Sequence, residues 1–212
     1  MTCKISMLGT AIALAALTEA SVAEESDATY AVELSPLNAE AAGTEARGTG
    51  TLTVSGDTLT VRVDAKGTSP NIMHLQHFHG FTEGDAASAC PTADSDTNGD
   101  GIIDLIETEP GAGITMVPFH ADPPSMEIVA DSYPVADAQG TYAYEQSVSL
   151  SSLKSAFAEK FSGQQLDLEQ RVLFLHGVPE GIELPETVQS LGDVPAQTTL
   201  PIACGEIRQS DS

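Results

Sequence analysis

The stretch HLQHFHG (74–80) places three of the chain's five histidines within six residues. On a β-strand, side chains two apart leave on the same face, so His77 and His79 point together. Two imidazoles side by side make half of a metal site. Around this stretch, NIMHLQHFHGF (71–81) continues the strand pattern. Upstream, TYAVEL (29–34) and GTGTLTVSGDTLTVRVDA (48–65) read as strands, the second as two alternating runs joined by a Ser55-Gly56-Asp57 turn, a hairpin signal.

Downstream, the composition shifts to Gly, Ala, Asp and Pro through about residue 125, which reads as a long loop with an insertion. SMEIVAD (125–131) and GTYAYEQSVSL (140–150) return to a strand pattern. In LSSLKSAFAEKFSG (150–163), Leu150, Leu153, Ala156, Phe157 and Phe161 have helical spacing, and Ser151 or Ser152 is the expected cap. QRVLFLHGV (170–178) and TLPIACGEI (199–207) read as buried strands. Many short strands with one helix and no internal repeat predict a single all-β domain over 24–212, an antiparallel sandwich or flattened barrel.

The first 23 residues carry Lys4, the apolar run ISMLGTAIALAAL and the small-residue end Ser21-Val22-Ala23, the pattern of a secretory signal. The expectation is export, to the periplasm or the medium, with Glu24 leading the mature chain. Cys3 leaves with the signal, so an oxidising compartment receives Cys90 and Cys204, either as one disulfide or as two buried thiols. A formal net charge of −23 argues against nucleic acid or anionic lipid as partner and favours cations, although most of it serves as solvated surface.

DTNGDGIIDLIE (96–107) matches an EF-hand calcium loop, with Asp96 first, Asn98 third, Asp100 fifth, Gly101 sixth, Ile103 eighth, Asp104 ninth and Glu107 twelfth. A hard cation takes about six to eight oxygens, so short carboxylates at alternate positions, a carbonyl from Ile102 and a closing Glu suit calcium. Pro91 before the loop and the proline and glycines of TEPGAG after it rule out a full flanking helix on either side. Without a helix pair to open, the expected role is structural.

The other histidines are His120, in TMVPFH, and His176, in VLFLHG. Several neutral imidazoles on apolar strands suit copper or zinc. Together, H-x-x-H-x-H-G on a strand, a cysteine about ten residues on, a lone histidine in VLFLHG and a terminal ACGEI resemble the copper/zinc superoxide dismutases. The early half, from AVELSP through GTGTLTV and LTVRVDAKGTSP to HFHG, is equally similar to the CHRD domain of extracellular proteins.

The dismutase resemblance implies an eight-stranded Greek-key barrel over about residues 29–208. It implies copper ligation by His77, His79, His120 and His176, His120 also shuttling a proton. His74 would clamp the site through backbone hydrogen bonds, and Cys90 and Cys204 would be bridged. No histidine lies between His120 and His176, so the family's zinc ligands are missing and a copper-only type is implied. The family's anion-guiding arginine is replaced by Pro201. Arg171, Arg208 and Lys66 are the candidates to supply a cation instead.

Three functions follow: a dismutase-like enzyme acting on superoxide, a copper-binding module with Met73 or Met116 as a soft partner, or a calcium-stabilised CHRD-like scaffold without copper. An arginine at the histidines favours the first, a site closed to anions the second, and diverging histidines the third.

Overall fold

The computed structural model describes residues 27–83, 86–129 and 131–210; the expected signal segment lies outside them. The elements run β1 (Ala28–Pro36), α1 (Ala39–Ala42), β2 (Arg47–Ser55), β3 (Thr58–Lys66), β4 (Leu75–Gly80), α2 (Leu105–Ala112), β5 (Ile114–Pro118), β6 (Tyr142–Ser149), α3 (Leu150–Lys160), β7 (Val172–His176), α4 (Ala196–Thr199) and β8 (Pro201–Gln209). The eight strands form one antiparallel sheet, in the order β5-β4-β7-β8-β1-β2-β3-β6, curled into a half-barrel.

In β2 and β3 the sequence alternation becomes the two faces of the sheet. Leu52, Val54, Leu59, Val61 and Val63 turn into the core, while the threonines and Arg62 between them face outward. Ser55 pairs with Thr58 across a two-residue turn in which Gly56 has φ +53°, a conformation that glycine adopts without strain. Phe78, Phe119, Leu173, Leu175 and Ile202 join this core, with Phe78 and Phe119 packed edge to face, ring centroids 4.4 Å apart. Each fully buried side chain of this kind contributes about 1.5–3 kcal/mol.

β4 and β7 differ from the hairpin in being buried along their whole length. One face meets the core and the other lies under loops, which is why β7 reads as a nearly continuous apolar run. The register sets Leu75 against His176, His77 against Phe174 and His79 against Val172, so three histidines share the loop-covered face. Cys204, opposite Phe174 on β8, is bonded to Cys90, with Cα atoms 5.8 Å apart, and ties the long loop down over this face. On the chain-entropy view, closing so long a loop stabilises the fold by about 4–5 kcal/mol.

Several local expectations are corrected. The described residues of SMEIVAD, 125–129 and Asp131, form no strand: Pro123–Ser125 form a single 3₁₀ turn, Met126 is left-handed (φ 57°), and Ile128 and Val129 are about half exposed. Conversely, the expected long loop contains β5, whose short ITMVP run pairs with β4. Helix α3 ends at Lys160 and is capped by Ser149, which accepts the Ser152 N–H. After the acidic loop a two-turn helix does form. Asp104 and Glu107 build a capping box at its start, and Pro110 sits far enough along that the helix ends within two residues.

Candidate metal centre

His77, His79 and His176 come together. Their ligand nitrogens lie within 4.8 Å of one another, and among the described residues no other group of three His, Cys, Asp or Glu side chains is so close. Ring centroids are 4.6 Å apart for His77 and His176 and 5.1 Å for His77 and His79. All three rings are buried.

Backbone carbonyls orient two of the rings. His176 Nδ1 donates to Thr199 O at 2.8 Å, just before β8, and His79 Nδ1 donates to Gly113 O at 3.2 Å, just before β5. Each ring therefore turns its Nε2 lone pair inward. Gly113 has φ +76°, and a Cβ there would collide with the Gly80 carbonyl, so glycine is required where this carbonyl meets His79. The Thr115 hydroxyl lies 3.3 Å from His79 Nε2; unlike the two backbone partners of His120, it is a single rotatable hydroxyl that can turn its proton away when that nitrogen binds an ion. His77 Nδ1 and His176 Nε2, both buried, have no hydrogen-bond partner.

His74 stands beneath the trio. Its Nδ1 lies 3.1 Å from His176 O and its Nε2 2.9 Å from Ser69 O, so the ring links the end of β7 to the connection between β3 and β4. His120 is outside the group: Nε2 is 2.7 Å from Glu127 O, and Nδ1 accepts the Asp122 N–H at 3.0 Å. With both nitrogens on backbone groups, His120 presents no lone pair to the trio, and the fourth nitrogen expected from the sequence is not supplied.

A cavity of about 70 Å³ opens beside His77 and His176, walled by Leu75, Leu105, Thr115, Ile128, Leu191, Val194 and Thr199. No cation lines it. Arg171 is buried elsewhere, donating to Leu166 O and Gln165 O and lying over Phe157. Arg208 pairs with Glu206, and Lys66 lines a cleft at the ends of β1 to β3. Pro201 opens β8 opposite His176. Met116 belongs to the main core and Met73 bridges to Val135, so neither reaches the cavity.

The acidic loop is ordered by its own backbone amides. Asp96 accepts from Gly99 and Gly101, Asn98 from Asp100, and Asp100 from Ile102. Glu107 accepts from Thr97, Asn98 and Asp104, while Asn38 on the barrel accepts the Ile103 N–H. The loop also holds the segment after β7, because Thr187 donates to Asp100 and the Gln189 N–H to Asp104 at 2.7 Å. Leu191 and Val194 of that segment then reach the cavity. Of these participants the sequence reading missed Thr115, Gly113 and the 187–194 strap. The alternation of ITMVP signals the first; nothing in the strap's composition signals its place.

Three converging, uncharged imidazoles are a donor set for a transition metal. Burial, then the nearby His176 and His79, holds the His77 pKa well below its usual range; burial pushes His79 to about 3 and His176 to about 4. All three are thus neutral at pH 7. Unfolded, each titrates near ~6.5, so below that value the unfolded chain binds more protons and stability falls with pH. Urea unfolding of the metal-free protein should show a loss between pH 7.5 and pH 4.5 of roughly 2–3 kcal/mol per histidine. A flat profile over that window would contradict the burial of neutral rings. No protein-family model matches the chain, and no characterised protein is significantly similar to it in sequence.

Proposed function

We propose that the chain is an exported copper-binding protein that holds one ion on His77, His79 and His176 without turning over a substrate. The observation that carries this reading is the pair of buried, unpartnered nitrogens, His77 Nδ1 and His176 Nε2, in a neutral cluster. An unsatisfied buried polar atom costs about 1–3 kcal/mol, which a bound ion would recover. The cavity beside the trio has no Lys or Arg in its wall, so an anionic substrate meets no attraction there. The disulfide is compatible with an exporting route, and among the described residues no helix is long and apolar enough to cross a membrane.

A second reading is superoxide dismutation, for which bound copper would supply the one-electron chemistry. The strand order favours it: β3 to β4 and β6 to β7 cross between distant strands, as Greek-key connections do, and His74 clamps the site as the dismutase resemblance implies. The chain would have to bring the anion to the trio through an apolar wall, and His120 would have to leave two backbone partners to move a proton. For the acidic loop we propose structural calcium at Asp96, Asn98, Asp100, Ile102 O, Asp104 and Glu107. Its support is the spacing and the curl of the loop about Asp96, with Gly101 at φ +84°.

Purified protein spanning Glu24 to Ser212 should take up about one copper, and His77→Ala/His79→Ala should take up none while remaining folded. Superoxide removal by the loaded protein should not exceed that of free buffer; removal that is lost in the variant would establish the dismutase reading. Calcium should raise the melting temperature by several degrees, and Asp96→Ala should abolish that rise; equal melting with and without calcium would leave the loop a plain structural turn.

A further inference from the structure

The open side of the trio has a chemistry of its own. Leu75, Leu105, Ile128, Leu191 and Val194 make its wall, and no carboxylate lines it. The two hydroxyls present are engaged: Thr115 Oγ1 on His79 Nε2, and Thr199 Oγ1 with Ser190 Oγ at 2.8 Å. A water in a cavity of about 70 Å³ would find, besides the imidazoles, only these two already hydrogen-bonded hydroxyls. The wall is held in place from the acidic loop, because Asp104 accepts the Gln189 N–H two residues before Leu191.

Resting on the copper-binding reading above, we propose that the site is selective for the cuprous ion. Cu(I) is a closed-shell monocation content with three ligands, which is what the trio offers. Zn(II) at three histidines keeps a water in its fourth position, and this wall offers that water no carboxylate and only two hydroxyls that are already hydrogen-bonded. Cu(II) prefers four or more donors in a tetragonal arrangement. Charge acts in the same direction. The trio is neutral, so the bound ion brings its full charge into an apolar surround, and the desolvation cost of a dication is about four times that of a monocation. The expected physiological cargo is therefore reduced copper.

The test is competition binding on the protein from Glu24 to Ser212, with Cu(I) measured anaerobically against a chromogenic Cu(I) chelator, and Cu(II) and Zn(II) against metallochromic indicators. Cu(I) should bind at least a thousandfold more tightly than Cu(II), which raises the potential of the bound couple above that of the aquated ion by about 180 mV, at about 59 mV per tenfold for one electron. Ile128→Asp places a carboxylate in the wall at a half-exposed position that the fold tolerates. It should cut the Cu(I) preference at least tenfold while leaving the melting temperature of the metal-free protein within a few degrees. Copper or zinc bound at the trio, with the divalent ions held as tightly as Cu(I), overturns the selectivity and leaves the copper-binding reading intact. No binding of any of the three ions overturns both.

Discussion

The antiparallel pairing of β4 with β7 is the constraint on which the rest of the site depends. Once Leu75 lies opposite His176 and His77 opposite Phe174, the two-residue period of a strand puts three imidazoles on one face and Phe78, Leu173 and Leu175 on the other. A slip of one residue would send the histidines into the hydrocarbon core and the phenylalanine under the loops. Core packing and site assembly are thus one decision. The side chains that would pay for a slip are among the most buried in the molecule, including Phe78, Phe174, Leu173 and Leu175.

Loops complete what the strands begin. The Gly113 and Thr199 carbonyls fix the rings of His79 and His176, and His74, anchored on Ser69, holds the His176 backbone from a third connection. The Cys90–Cys204 bridge and the acidic loop hold two of those connections against the sheet. The acidic loop thereby has a structural part whether or not a cation occupies it: its carboxylates cap α2 and carry the strap that supplies Leu191 and Val194 to the cavity wall.

Much of this was legible in the residues because it rests on short-range periodicity. The alternation of LTVRV and the HFH triplet gave strands and faces, and the spacing of Leu150, Leu153 and Phe157 gave a helix, though its cap lies two residues before Ser151 because Ser149 is where strand turns into helix. β5 was hidden by the glycines and prolines before it, and it exists because β4 offers it an edge. The described residues of SMEIVAD failed as a strand because the chain there turns through a 3₁₀ turn and a left-handed Met126. The trio was legible on both strands; the place of His120 was not, since two backbone groups seven or fewer residues away compete for its nitrogens. The apolar wall was illegible too, being assembled from four separate segments.

The central claim is that three neutral imidazoles, with ligand nitrogens within 4.8 Å of one another, bind one ion. Long-range proton–nitrogen spectra of the metal-free, ¹⁵N-labelled protein at pH 7, repeated with one equivalent of diamagnetic Cu(I), examine it atom by atom. The expected result is His79 and His176 protonated on Nδ1 before addition, and large shifts afterwards confined to one nitrogen each of His77, His79 and His176. Imidazolium rings at these positions, or copper-induced shifts at His120 and none in the trio, would contradict it.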